Sequence, residues 1–129
     1  MDNISKIKII IVDNSKDFCN IINKYLLRQS DMVVTGIAND GVEALKLIQE
    51  KKPDLILFDM IMPNLDGCGF LSKLNTMDID PMPRIIALSS IGLDKIIQNT
   101  MALGVEHYFV KPFDLNVFTK TIRQMFKLH

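Results

Sequence analysis

Cysteine is scarce in this chain, neither sign of charge predominates, and no apolar run is long. Of the 129 residues only Cys19 and Cys68 are cysteines, far apart in the sequence and outside any CxxC pair. With no neighbouring histidine, that pattern excludes a disulfide framework and a cysteine-based zinc site, and both read as small apolar side chains in a reducing compartment. His107 and His129 lack partner acids at ligand spacing and read as surface residues. Lys plus Arg number 15 and Asp plus Glu 15, so no net positive field exists to hold nucleic acid or an anionic membrane, and a partner must be met through a local patch. The longer apolar stretches, such as Ile9–Val12 and Leu55–Phe58, fall far below the roughly 18 residues that a membrane helix requires. Met1–Lys8 carries charge and no apolar h-region, so no secretory signal is visible and a cytoplasmic location is expected.

What the chain does contain is regular alternation. Its 48% hydrophobic residues are enough for one substantial core in one domain spanning residues 1–129. Ile7–Val12, Val33–Ile37, Leu55–Phe58, Ile85–Leu88 and Tyr108–Val110 read as short buried strands, too uniformly apolar to have a solvent face. Between them, Phe18, Ile21, Ile22, Tyr25 and Leu26 follow helical spacing, as do Val42, Leu45 and Ile48, and later Phe118, Thr121, Ile122 and Met125. Asn39-Asp40-Gly41, Lys52-Pro53-Asp54 and Asp66-Gly67 punctuate the connections, and Gly104 is placed as the C′ residue of the fourth helix. Alternating strands and helices predict an α/β fold with a doubly wound parallel sheet covered on both faces. The chain stops just after the fifth helix, so any effector domain is expected outside it.

In such a sheet, ligand chemistry collects beyond the carboxyl ends of the strands. The residues there are Asp13-Asn14 after the first strand, Asp59 after the third, Ser89-Ser90 after the fourth and Lys111-Pro112 after the fifth. This set suits metal-assisted phosphoryl transfer. Asp59 can act as a nucleophile, Mg²⁺ on oxygen ligands can neutralise the incoming anion, Lys111 adds a second positive charge, and the Ser89 hydroxyl can hydrogen-bond a phosphoryl oxygen. Taken singly, each residue also has an ordinary structural role. Asp59 could close a strand as a turn carboxylate, Lys111 could be a surface lysine, and Asn14 with Asp17 forms a capping-box-like pair at the first helix. Their coincidence at the strand ends of one fold favours the functional reading.

In order and spacing, Ile11-Val12-Asp13-Asn14, Pro53-Asp54-Leu55-Ile56-Leu57-Phe58-Asp59-Met60-Ile61-Met62-Pro63 with Asp66-Gly67, Ala87-Leu88-Ser89-Ser90 and Val110-Lys111-Pro112-Phe113 resemble the receiver domains of two-component response regulators. The resemblance implies a flavodoxin-like sheet of strand order 2-1-3-4-5. It also implies that Asp59 accepts a phosphoryl group from a histidine kinase or a histidine phosphotransfer protein, with slow autodephosphorylation and no other enzymatic activity. Asp13 matches the first acid of the metal-binding pair, the Ile61 main-chain carbonyl the backbone metal ligand, Ser89 the switch hydroxyl, Tyr108 the switch aromatic, and Lys111 the active-site lysine before a cis Pro112. The fourth helix, fifth strand and fifth helix would form the surface through which family members form homodimers or release an output domain. Phe18-Cys19-Asn20-Ile21, Val33–Ala38 and Lys111-Pro112-Phe113-Asp114 are similar to the receivers of clostridial sporulation regulators, which implies a DNA-binding, sporulation-related output.

One position departs from the family. Two acids usually follow the first strand, whereas this chain has Asp13-Asn14. An amide oxygen can still ligate Mg²⁺, but one unit of attraction is missing, worth at most a few kcal/mol at a partly exposed site, on the order of the Coulomb values for such pairs. The rival reading is therefore a phosphorylation-independent receiver-like interaction module. A phosphoaspartyl hydrolase would carry an acid at the position of Ile61, and an FMN carrier would want a glycine- or hydroxyl-rich loop where Asp13-Asn14-Ser15-Lys16 stands.

Overall fold

In the computed structural model, residues 6–61 and 67–126 are described. Met62, Pro63 and Asp66 of the third-strand motif lie outside them, as does His129. The apolar runs form strands β1 (Ile7–Val12), β2 (Met32–Ala38), β3 (Leu55–Asp59), β4 (Arg84–Ser89) and β5 (His107–Val110). They alternate with helices α1 (Lys16–Leu27), α2 (Gly41–Lys51), α3 (Gly67–Asn75), α4 (Asp94–Met101) and α5 (Leu115–Met125). All strand pairs are parallel and the order is β2-β1-β3-β4-β5. Placing β1 second and sending the chain to opposite sides of it creates the crevice between β1 and β3 that a doubly wound sheet offers to ligands.

Alternation along the strands divides the core into two layers. Ile10, Val12, Ile56, Phe58 and Ala87 face Ala44, Ile48, Phe70, Leu71 and Leu74 from α2 and α3. Ile9, Ile11, Leu55, Leu57, Ile86 and Leu88 face Cys19, Ile22 and Leu26 of α1 and Phe118, Ile122 and Met125 of α5. With both faces covered, β1 and β3 are apolar at consecutive positions, as parallel strands require. The edge strands differ from expectation. β2 is only half-buried through its middle, and β5 ends on exposed His107 and Val110, because an edge strand has a neighbour on one side only. Ile21 and Val42, expected on the buried helix faces, are exposed; Cys19 and Ala44 take those places.

Local signals close the elements. Asp40 caps α2 by accepting from the Glu43 amide, while Asp114 caps α5 by accepting from Asn116 and Val117. Gly104 has the positive φ of 98° expected of a helix-ending glycine, but it stands two residues beyond the Ala102 cap of α4. The amides of Leu103 and Gly104 first close tight turns onto Thr100 and Met101. At the opposite end of the sheet from the crevice, Arg123 of α5 donates to both oxygens of Asp31 (2.8 and 3.2 Å), holding that carboxyl below its usual range and pinning the start of β2 to α5.

Candidate functional site

The site is assembled where β1, β3, β4 and β5 end. Asp13, just past β1, is fully buried. Its Oδ1 accepts from the Ser15 amide at 2.9 Å and its Oδ2 from Lys111 Nζ at 2.7 Å. Asp59, the last residue of β3, accepts from the Ile61 amide on Oδ1 at 3.0 Å and from the same Lys111 Nζ on Oδ2 at 3.3 Å. One ammonium is therefore shared by two carboxylates from two strands, and their opposite charges leave a net charge of −1. The pairing offsets the large cost of burying the Asp13 charge. Lys111 is held by its backbone too, since its amide donates to the Ser89 carbonyl at 2.8 Å. The Lys111-Pro112 bond is cis.

Ser89 is fully buried at the end of β4, and its Oγ accepts from the Ile91 amide at 3.1 Å. The Tyr108 hydroxyl, coming from β5, donates to the Ile91 carbonyl at 2.8 Å. The hydroxyl and the aromatic thus hold the same loop residue from its two backbone groups. Ile61 is half exposed beside Asp59, and Asn14 is exposed beside Asp13.

Asn14 is not the helix cap. Ser15 is, accepting from the Phe18 amide at 3.2 Å, while Asp17 stands in the first turn, where the helix dipole favours an acid. The shift by one residue has a local cause. Asp13 Oδ1 takes the Ser15 amide, which turns the chain and places the Ser15 hydroxyl over the first free amides of α1.

Three further residues belong to this environment. Asn39, whose signal in the sequence is only that of turn punctuation, donates its side-chain amide to the Asp13 carbonyl at 3.0 Å. The Cys19 thiol packs against the same carbonyl. Burial first, and the Asp13 charge second, push that thiol up to about 11, so it is neutral at physiological pH. Phe18, read from its spacing as a helix residue, lies with its ring 3.9 Å from Lys111 Nζ.

The donors on this edge are hard oxygens: the Asp13 and Asp59 carboxylates, with the Asn14 amide next to Asp13 and the Ile61 carbonyl two residues beyond Asp59. Among the described residues no group of three or more His, Cys, Asp or Glu side chains converges. A donor set of two converging carboxylates fits Mg²⁺, which keeps several waters and takes only one or two acids from a protein, and does not fit a caged ion of higher coordination.

A doubly wound α/β sheet with an acid pair, a lysine and a hydroxyl on its carboxyl edge is the arrangement of a receiver domain. The chain belongs to the response regulator receiver domain family, whose pattern matches residues 9–123. Its fold is similar to the response regulator domain of CheB from Thermotoga maritima, with 28% identity, a TM-score of 0.84, and coverage of 96% of this chain and 98% of that one. The receiver domain of the Francisella response regulator 1452 is 28% identical, with a TM-score of 0.83 and coverage of 93% and 96%. A two-component response regulator from Clostridium difficile is 26% identical, with a TM-score of 0.83 and coverage of 95% and 97%. Among the described residues no helix is long and apolar enough to cross a membrane.

Proposed function

We propose that this receiver domain is a phosphorylation-activated switch of a two-component system or phosphorelay, with Asp59 as the acceptor. The observation that carries the reading is the Lys111 ammonium shared between Asp59 and Asp13. In the transfer, an Asp59 carboxylate oxygen forms a bond to phosphorus while the phosphorus–nitrogen bond to the imidazole of a histidine kinase or histidine phosphotransfer protein breaks. The imidazole nitrogen keeps the electron pair. Asp13, Asp59, the Ile61 carbonyl and Asn14 are the residues that would hold Mg²⁺, which when bound supplies charge neutralisation for the transferred group. Lys111 exchanges its longer contact to Asp59 for a phosphoryl oxygen. Ser89 releases the Ile91 amide to meet another, and Tyr108, bonded to the same residue, turns inward with it. The readout surface is α4, β5 and α5, serving a homodimer or an output domain. The similarity of Phe18–Ile21, Val33–Ala38 and Lys111–Asp114 to sporulation regulators supports a DNA-binding output in a cytoplasmic protein.

Incubation with acetyl phosphate and Mg²⁺, followed by intact mass, tests the reading. A hydroxylamine-labile gain of one phosphoryl group is expected. No gain would overturn it in favour of a phosphorylation-independent interaction module, the reading that the neutral Asn14 favours.

Asn14→Asp should tighten Mg²⁺ binding about tenfold, since it adds one charge beside a cation site of net charge −1, an effect on the order of 1 kcal/mol in a solvated setting. Unchanged affinity in a calorimetric titration would mean that residue 14 does not reach the metal.

The phosphorylated form should decay slowly. Ile61 and Ile91, two residues beyond Asp59 and Ser89, present no group able to orient or deprotonate an attacking water. Ile61→Asn should speed the loss of label severalfold; a wild-type half-life of seconds would contradict the slow intrinsic rate.

A further inference from the structure

The Lys111 ammonium has three N–H donors and, among the described residues, two carboxylate partners: Asp13 Oδ2 at 2.7 Å and Asp59 Oδ2 at 3.3 Å. Its third neighbour is the Phe18 ring, with Nζ 3.9 Å from the centroid. That lies well within the roughly 6 Å over which a ring quadrupole attracts a cation, and the side chain of Lys111 is only 19% exposed, so water screens the contact weakly.

The ring is built in from two directions. In front, the turn from β1 into α1 carries both the Asp13 carboxylate and the Phe18 ring. Asp13 takes the Ser15 amide and Ser15 Oγ takes the Phe18 amide, so the carboxylate and the ring are fixed relative to each other by two successive hydrogen bonds. Behind, Phe18 meets Phe113 edge-on at 6.2 Å and 73°. Phe113 in turn packs on Phe109 of β5 and Phe118 of α5 at 5.3 and 5.1 Å. Because Phe113 lies two residues beyond Lys111, the loop that supplies the cation also supplies the support for the ring beneath it.

A ring differs from a carboxylate in one respect that matters here. It holds a cation without cancelling its charge, and its attraction has no preferred N–H direction, so the ammonium can exchange one oxygen partner for another while staying on the ring face. Resting on the reading that Lys111 stabilises the incoming phosphoryl group, we infer that Phe18 is a positioning residue for phosphoryl transfer. It holds the Lys111 ammonium between Asp13 and Asp59 and leaves its charge available to the phosphoryl oxygens.

The test measures the initial rate of labelling by acetyl phosphate at saturating Mg²⁺ in wild type, Phe18→Leu and Phe18→Tyr. It also measures the proton chemical shifts of the Lys111 side chain next to Nζ, with no phosphoryl donor present. Phe18→Leu keeps an apolar side chain but removes the π face. A three- to tenfold slower rate is expected for it, together with loss of an upfield ring-current shift at Lys111. Phe18→Tyr, which keeps the ring, should restore both. A wild-type rate in Phe18→Leu, a slowing that Phe18→Tyr does not rescue, or a Lys111 shift indifferent to the ring would each overturn the role. Circular dichroism checks that the variants are folded, and Phe18→Met replaces Phe18→Leu should the latter fail to fold. Absence of label on wild type would remove the proposed function itself and this role with it. A labelled wild type with an equally fast Phe18→Leu removes only the role.

Discussion

Asp59→Asn is expected to take up no hydroxylamine-labile phosphoryl group under conditions in which wild type gains one. Two carboxylates meet Lys111, and their surroundings differ. Asp13 is fully buried, and each of its oxygens already has a donor, the Ser15 amide and the Lys111 ammonium at 2.7 Å. The Asp59 side chain is 14% exposed, and among the described residues its Oδ2 has only the longer 3.3 Å contact, so an oxygen can be freed toward a donor arriving from solvent. An amide at position 59 retains shape and some hydrogen bonding but supplies no anionic nucleophile, and neither Asp13 oxygen is free to substitute without giving up a donor. The expected effect is complete loss. Full labelling of Asp59→Asn would move the acceptor elsewhere and remove the basis for the roles given to Ser89 and Tyr108. Labelling that survives hydroxylamine would indicate modification of a different residue type.

The strands are legible because burial on both faces leaves a direct mark, the consecutive apolar residues of Ile9–Val12 and Leu55–Phe58. The strand ends were legible for a topological reason, since a parallel sheet delivers the residue after every strand to one edge. What escaped depends on contacts made across the fold. Helical spacing marked Ile21 as buried and passed over Cys19, yet both lie on a helix whose exact rotation is set by the sheet beneath it. The cap of α1 is displaced from Asn14 to Ser15 by the hydrogen bond that the Ser15 amide donates to Asp13, a side chain that itself answers to Lys111. Asn39 is a plain turn residue until β2 brings it beside the Asp13 carbonyl. No local pattern could show that Ser89 and Tyr108 share Ile91, because the link joins two strands through the backbone of a loop.

Lys111→Met should destabilise the domain by about 2–3 kcal/mol in metal-free buffer, a value below the roughly 3–5 kcal/mol typical of broken buried pairs because Lys111 and Asp59 keep some contact with water. Methionine retains most of the apolar stem and can still touch the Phe18 ring through its sulfur, so lost packing contributes little. The larger consequence is electrostatic. Asp13 keeps the Ser15 amide but loses its only cation among the described residues, and it is left near the Asp59 carboxylate without the charge that both shared. Two controls separate this from generic damage. Adding Asp59→Asn to Lys111→Met removes the repulsion and should recover part of the stability, although it adds a second substitution to the site. Mg²⁺ should stabilise Lys111→Met more than wild type, because the same two carboxylates now present a net charge of −2 where wild type presents −1, and a ligand that binds more tightly to the folded state raises its stability by more at a given concentration. Urea unfolding with EDTA and with Mg²⁺ supplies all three comparisons. Equal stability of wild type and Lys111→Met in EDTA would mean that the desolvation cost of the ammonium cancels its attraction to both acids. Lys111 would then be kept for the chemistry of the phosphorylated state alone.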